Sequence, residues 1–112
     1  MIGVVVPAHD EEAVLNECLQ SLQVAARHPG LRGEPVQIVV ALDACSDRSE
    51  DIALQRGVQT VRVNRRNVGA ARSAGVDRAL HAGARWLCFT DADSAVAPDW
   101  LVQHLRLADD AQ

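Results

Sequence analysis

Four short runs of apolar and β-branched residues recur along the 112-residue chain, and segments with helical signals separate them. The runs span residues 2–7, 36–42, 58–63 and 85–90, and each has the length of a β-strand. The first, second and fourth runs are almost continuously apolar, which is typical of parallel strands covered on both faces. The sequence therefore predicts an α/β fold in the order βαβαβαβ, built on an open and mostly parallel sheet.

The segments between the runs carry signals for both ends of a helix. Between residues 15 and 26, apolar side chains recur at three-and-four spacing, so one face of the first helix can cover the sheet. The acidic residues 10–12 come just before, and we expect them in the first turn, where the helix dipole favours negative charge. Gly57 and Gly83 are expected to end the second and third helices, and Pro98 to lie in the first turn of the fourth.

The composition fits one domain over residues 1–112 and argues against several classes of partner. With 48% hydrophobic residues, the chain can form a core. The net charge of -4 argues against nucleic acid and anionic lipid, which both favour basic surfaces. No run approaches the roughly 18 apolar residues of a membrane span. The three cysteines form no C-x-x-C pair, which indicates a cytoplasmic setting, or the cytoplasmic face of a membrane in a longer parent.

Polar side chains follow the end of every predicted strand. The chain reads "PAHDEE" from Pro7, "DACSD" from Asp43, "NRRNVG" from Asn64 and "DAD" from Asp91. The opposite ends of the strands carry turn residues, as in "GEP" and "HAGAR". Since ligands of open parallel α/β sheets bind outside the carboxyl ends of the strands, the sequence predicts one composite site there.

Asp91 and Asp93 are two carboxylates separated by a single residue at the end of the fourth run. Like charges this close disfavour each other's ionisation unless a cation or a donor lies between them. Oxygen ligands of this kind suit Mg²⁺ or Mn²⁺, and such a cation commonly completes its shell with phosphate oxygens. Arg65, Arg66 and Arg72 can hold the same polyanion from the other side, so the pattern favours a diphosphate. Taken alone, a D-x-D pair is more often turn or cap chemistry.

Four landmarks in order, "VVVPAHDEE", "LDACSDRSEDIA", "NVGAARSAG" and "FTDADS", resemble the family 2 glycosyltransferases, and the likeness covers essentially the whole chain. The resemblance implies a Rossmann-like sheet of the GT-A type, a nucleotide-diphospho-sugar donor (UDP-sugar favoured) and a Mn²⁺ or Mg²⁺ cofactor. Asp91 and Asp93 would hold the metal. Asp43 would hydrogen-bond the base. The candidate donor-binding residues are Pro7, Ala8, His9, Glu11, Asp43, Asn67, Arg72, Asp91, Ala92 and Asp93.

The chain differs from the family pattern at His9 and Asp10, where many relatives have Tyr and Asn. Members of the family usually continue into a further region that binds the acceptor and carries a carboxylate base. The chain therefore resembles the donor-binding half, and the resemblance implies an inverting displacement. We assign no catalytic base, because Asp109 and Asp110 fit a solvated helix end better. The isolated chain is expected to bind the donor with little or no transfer.

Two other functions fit parts of the sequence. "LCFTDADSAV" is also similar to the first motif of haloacid-dehalogenase-type phosphatases, in which the first Asp is a nucleophile. That motif belongs on the first strand, whereas here it follows the fourth. The second alternative is a catalytically incomplete fragment that binds nucleotide-sugar or serves as an interaction module. A dinucleotide dehydrogenase is disfavoured, because no G-x-G-x-x-G turn follows the first strand.

Overall fold

The computed structural model describes the backbone of residues 1–110 and the side chains of residues 1–108. Each of the four predicted strands is present, within one residue of its expected bounds at either end. The α/β fold and the alternation of strands and helices are confirmed. In chain order the elements are β1 (Ile2–Ala8), α1 (Leu15–Ala25), a 3₁₀ turn (Pro29–Leu31), β2 (Val36–Asp43), α2 (Ser49–Gln55), β3 (Gln59–Val63), α3 (Val68–His81), β4 (Trp86–Phe89) and α4 (Trp100–Asp110).

The four strands form one parallel sheet in the order β3-β2-β1-β4. The chain moves outward from β1 through β2 to β3, and then returns past β1 to place β4 on the other side. Strand order therefore reverses between β1 and β4, which is where open α/β sheets form a ligand crevice at their carboxyl ends. No helix within residues 1–110 is long and apolar enough to cross a bilayer.

The strands differ in how far the sheet buries them. Every residue of β1 is buried, because β1 lies between two strands and has helices on both faces. In β4 only Cys88 is buried, and 45% of Phe89 is exposed. The near-continuous apolar run therefore did not indicate full burial here, because β4 lies at an edge of the described sheet.

The main hydrophobic core lies on the face of the sheet that α1 and α2 cover. Alternate residues of β1, including Val4 and Val6, point toward this face and pack with the apolar stripe of α1. Leu15, Leu19 and Leu22 of that stripe are fully buried, as the three-and-four spacing predicts. Leu101 of α4 joins the same core.

The acidic residues before α1 do not lie in its first turn, so that expectation was wrong. The helix begins only at Leu15, and Asp10 has a φ of 50° in the loop before it. The Asp10 Oδ1 atom accepts hydrogen bonds from the N–H groups of Ser46 and Asp47, at 2.8 and 3.2 Å. The acid therefore joins the loop after β1 to the loop after β2, instead of stabilising a helix dipole.

The opposite face of the sheet is covered by α3, which approaches β1 closely. Ala71, Gly75 and Ala79 are the buried residues of α3 and lie four residues apart on one face of the helix. A Cβ atom placed on Gly75 would lie 2.4 Å from Cγ1 of Val5. The small-residue composition of this segment is thus explained by the short separation between helix and sheet.

Replacing Gly75 with alanine is expected to destabilise the fold by about 1–3 kcal/mol, the usual cost of overpacking a core. Val5 is a stiff β-branched residue on β1, which is an interior strand, so it has little freedom to move away from an added methyl group. Denaturant unfolding measures the effect. Ser73→Ala, on the exposed side of the same helix, is the matched control and should change stability by less than about 0.5 kcal/mol. Equal midpoints for the two variants would contradict the close packing.

Candidate functional site

A cavity of about 520 Å³ opens at the carboxyl end of the sheet, where strand order reverses. Its volume lies within the range of small-molecule sites. Nine of the ten residues singled out from the sequence line it, and Arg72 is the exception. The lining residues are Pro7, Ala8, His9, Glu11, Asp43, Arg66, Asn67, Val68, Ala71, Asp91, Ala92 and Asp93.

Asp43, the last residue of β2, is a buried carboxylate that holds the loop between β3 and α3. Only 3% of the surface of Asp43 is exposed. The Oδ1 atom accepts hydrogen bonds from the N–H groups of Arg65 (2.8 Å) and Arg66 (2.9 Å), and Oδ2 accepts one from Asn67 (2.7 Å). The Arg65 N–H foremost, with those of Asn67 and Arg66, keeps the pKa of Asp43 below its usual value despite burial. Asp43 is therefore ionised at neutral pH.

Asn67 immediately precedes α3 as its N-cap and has a structural role of its own. Its Oδ1 atom accepts a hydrogen bond from the N–H of Ala70 at 2.9 Å, which caps the helix. This cap leaves the Asn67 side chain on the cavity wall. The family resemblance implies that Asn67 lies near the donor, and the structure shows that its side-chain carbonyl oxygen already accepts a hydrogen bond.

The two arginines near the cavity differ in position. Arg66 lines the cavity, as expected for one of the three arginines that can hold a polyanion, although it is not among the ten candidate donor-binding residues. Arg72 lies beside the cavity, where its Nη2 atom is 3.6 Å from Oδ1 of Asp91. Both members of that pair are well exposed, so the attraction between them is weak.

His9 follows β1 and is fixed against β2. Its Nδ1 atom lies 2.7 Å from the carbonyl oxygen of Asp43, and a carbonyl only accepts, so Nδ1 carries the hydrogen. The Nε2 atom is 3.8 Å from Oδ2 of Asp10. The ring is therefore held by Nδ1, while Nε2 lies near the Asp10 carboxylate.

The D-x-D segment is shaped by its middle residue. Ala92 is 2% exposed and belongs to the hydrophobic core. The residues on either side, Asp91 and Asp93, are exposed and line the cavity. A small apolar residue in the middle thus anchors the loop while its two neighbours remain accessible.

Helix α1 also holds the D-x-D loop in place through two side chains. The Sγ–H of Cys18 donates to the carbonyl oxygen of Asp91 at 3.6 Å, and Oγ of Ser21 accepts from the N–H of Val96 at 3.0 Å. Burial, together with smaller contributions from the charges of Asp93 and Asp91, raises the pKa of Cys18 to about 11. The thiol therefore stays protonated and acts as a donor.

Asp91 and Asp93 have the chemistry to hold a divalent cation. Both offer hard carboxylate oxygens, and within the described residues no hydrogen bond engages the Asp93 carboxylate. Two protein carboxylates with further oxygens from phosphate are a usual arrangement for Mg²⁺. The residues present therefore fit such a metal.

A second group of metal-capable side chains lies outside the cavity. Asp10, Cys45 and Asp47 place ligand atoms within 4.8 Å of one another. The two carboxylates already accept hydrogen bonds from backbone N–H groups. Asp47 accepts from the N–H of Ser49 at 2.9 Å and from that of Glu12 at 3.0 Å, and Asp10 accepts from Ser46 and Asp47 as described above. We assign this group to joining the two loops.

The last two residues of α4 are Asp109 and Asp110, to which we assign no role as a base. Their side chains lie outside the described residues. The described side chains, residues 1–108, thus supply candidate donor-binding groups, and we assign no base among them.

Several known proteins are similar to this chain. The Bacillus subtilis protein EpsH, which carries a glycosyltransferase name, is 25% identical over 97% of this chain and 30% of its own length. The crystal structure of residues 1–349 of S. aureus TarS has a TM-score of 0.80 at 20% identity, over 97% of this chain and 32% of that one. This second likeness shows the fold, which is the GT-A type.

A third similar structure is glucosyl-3-phosphoglycerate synthase from Mycobacterium tuberculosis, solved with Mn²⁺, UDP and glucosyl-3-phosphoglycerate. It has a TM-score of 0.68 at 27% identity, over 94% of this chain and 39% of that one. The chain thus spans about a third of the length of these relatives.

The family assignment rests on a match to nearly the whole chain. The profile described as glycosyl transferase family 2 matches residues 3–112. The match includes all four strand ends that form the cavity. It also removes the phosphatase alternative, since the D-x-D segment follows the fourth strand of a GT-A sheet. On this match, and with the fold and the cavity in agreement, the chain belongs to glycosyl transferase family 2.

Proposed function

We propose that this chain binds the nucleotide-diphospho-sugar donor of a glycosyltransferase, with a UDP-sugar as the favoured donor. The observation that carries the proposal is the cavity at the point of strand reversal, with the exposed carboxylates of Asp91 and Asp93 on one side and Arg66 on another. The similar synthase from M. tuberculosis was solved with UDP and Mn²⁺, which supports both the nucleotide and the metal.

Each wall of the cavity has a proposed role. Pro7, Ala8 and His9 at the end of β1 would line the nucleoside pocket, and Glu11 faces the same cavity. Asp43 would accept a hydrogen bond from the base while it holds its loop, since a carboxylate oxygen can accept more than one hydrogen bond. The family motifs assign five further residues to the side of the diphosphate and the metal; Arg72 lies beside the cavity, and the four that line it are Asn67, Asp91, Ala92 and Asp93.

In the proposed reaction, an acceptor hydroxyl attacks the anomeric carbon from the face opposite the diphosphate. The bond from that carbon to the diphosphate oxygen breaks, the configuration inverts, and the hydroxyl proton passes to a base that we do not assign. A Mn²⁺ or Mg²⁺ ion at Asp91 and Asp93 would supply Lewis-acid stabilisation of the leaving group, worth several kcal/mol. The residues of this chain bind and orient the leaving group.

The proposed setting is the cytoplasm. Cys18, Cys45 and Cys88 are all free thiols in the structure. Free cysteines persist in reducing compartments, where disulfides are rare. This supports the cytoplasmic expectation from the sequence.

Calorimetric titration with UDP, in Mn²⁺ and in a chelator, tests the proposal. UDP is expected to bind with a dissociation constant between about 1 μM and 1 mM, the usual range for enzyme substrates. Its affinity should be at least about tenfold higher in Mn²⁺, because Asp91 and Asp93 would hold an ion whose positive charge attracts the diphosphate. Uridine, which has no phosphate, serves as the control and should show no metal dependence.

Two results would contradict the proposal. One is the absence of UDP binding under all conditions, and the other is equal UDP affinity with metal and with chelator. Because the chain spans about a third of its relatives' length, binding is the appropriate measurement for the isolated chain. A parallel assay of sugar transfer separates an active enzyme from the alternative of a binding fragment or interaction module.

A further inference from the structure

We propose that Arg66, and not Arg72, is the arginine that contacts the donor diphosphate, and that Asp43 positions it. This inference rests on the proposed function, and it concerns which residue of the basic cluster does the binding. The sequence motif drew attention to Arg72, whereas the geometry of the loop between β3 and α3 favours its neighbour.

The backbone at Arg66 is held in an unusual conformation. Its φ is 47°, in the left-handed region that few non-glycine residues adopt. Asp43 accepts the N–H groups of three consecutive residues, Arg65, Arg66 and Asn67, so one carboxylate fixes the whole turn. Such conformations persist where surrounding contacts determine them, and they cluster at binding sites.

The two consecutive arginines of this turn line different surfaces. Arg66 lines the cavity, while Arg65 lines a separate groove with Ser73 and Asp77. Both residues are exposed, and neither guanidinium has a hydrogen bond or an ion pair within residues 1–108. Arg66 is therefore available to an anion in the cavity, and Arg65 is available only outside it.

The residues that line the cavity carry mostly negative charge, which favours a role for Arg66 in binding an anion. Glu11, Asp43, Asp91 and Asp93 all line it, and among the described lining residues Arg66 is the only arginine or lysine. A diphosphate would be repelled by the four acids unless cations offset them. Arg66 would supply one positive charge in addition to a divalent cation at the D-x-D pair.

Arg72 is less suited to this role. It does not line the cavity, and its guanidinium lies 3.6 Å from the Asp91 carboxylate. The attraction between these two exposed groups is weak, but it places the Arg72 guanidinium beside Asp91 and not among the residues that line the cavity. Arg72 can therefore influence the charge of Asp91 without touching the donor.

Titration of Arg66→Gln and Arg65→Gln with UDP and with uridine tests the proposal. The two variants remove the same charge from adjacent residues, so the second is a matched control. Arg66→Gln should weaken UDP roughly ten- to hundredfold, as expected for a lost hydrogen bond to a charged group, and should leave uridine within about twofold. Arg65→Gln and Arg72→Gln should each change UDP affinity much less, by about twofold to fivefold.

A double-mutant cycle tests the role of Asp43. In an Asp43→Asn background, Arg66→Gln should have a smaller effect on UDP than in the parent chain, because the turn no longer holds the arginine in place. Amide exchange and thermal unfolding confirm that each variant is folded. Equal effects of Arg66→Gln in both backgrounds would show that Asp43 does not position it.

The outcomes separate this inference from the proposed function. If the parent chain fails to bind UDP, both are wrong. If the parent binds UDP but Arg66→Gln matches Arg65→Gln, or Arg72→Gln causes the larger loss, then the proposed function stands and the assignment of Arg66 is overturned.

Discussion

Replacing Asp43 with alanine is expected to release the loop between β3 and α3 and to lower the midpoint of thermal unfolding by several degrees. The substitution removes the acceptor of three backbone N–H groups, those of Arg65, Arg66 and Asn67. These hydrogen bonds are partly buried, and hydrogen bonds to a charged group are stronger than neutral ones, so their loss is costly. This single side chain thus supports one wall of the cavity.

Amide hydrogen exchange gives the most direct measurement. Exchange at Arg65, Arg66 and Asn67 should become roughly ten- to hundredfold faster, while the N–H groups of β1 change much less. Asp43→Asn should be intermediate, because one oxygen remains to accept while the amide nitrogen faces a donor. Asp77→Ala removes an exposed acid from α3 and is the control. Unchanged exchange at all three residues would contradict the anchoring role.

The stability of the loop that Asp43 holds should depend on pH, and the lowered pKa of Asp43 gives the sign. The pKa of Asp43 is lowered in the folded chain, chiefly by the Arg65 N–H, so the folded state favours the charged form. The stabilisation is therefore fully present above the ordinary aspartate pKa of about 3.9, and it is lost as the pH falls through the lower folded value. Protection of the three amides should be constant from about pH 5 to pH 8 and should decrease only in stronger acid.

Replacing Asp93 with asparagine is expected to remove most of the Mn²⁺ dependence of UDP binding. A neutral amide is a poorer ligand for a divalent cation than a carboxylate. The affinity for Mn²⁺ should fall about a hundredfold or more, since even the loss of an outer-shell partner commonly costs about 10–100-fold. Asp91→Asn should have a similar effect, and it also frees Arg72 from its ion pair.

Mn²⁺ binding can be followed by electron paramagnetic resonance of the free ion, with UDP affinity measured in parallel. Asp77→Asn makes the same chemical change on the exposed face of α3, outside the cavity, and should leave both quantities unchanged. Full retention of the Mn²⁺ effect in Asp93→Asn would place the metal elsewhere. The Asp10, Cys45 and Asp47 group would then be the next candidate.

Local patterns in the sequence were sufficient to predict the four strands and the ends of two helices, but not the starts of α1 and α4, since the acidic residues 10–12 and Pro98 lie before the first turns of these helices. The apolar runs marked all four strands within one residue, and Gly57 and Gly83, with φ of 71° and 98°, follow the ends of α2 and α3 as expected. These features depend on neighbours along the chain, through side-chain periodicity and allowed backbone angles. The residues that line the cavity were also largely predictable, because parallel strands bring their carboxyl ends to one edge of a sheet.

What only the tertiary structure decided was which groups those residues contact. The sequence could not show that Asp43 accepts from N–H groups 22 to 24 positions away, that Asp10 joins two loops, or that Arg66 lines the cavity while Arg72 does not. It also could not show that β4 lies at an edge with Phe89 exposed. Each of these depends on which strands are neighbours and how the connecting loops turn. Such long-range hydrogen bonds form only after the sheet has brought distant segments together, and no local period in the sequence encodes them.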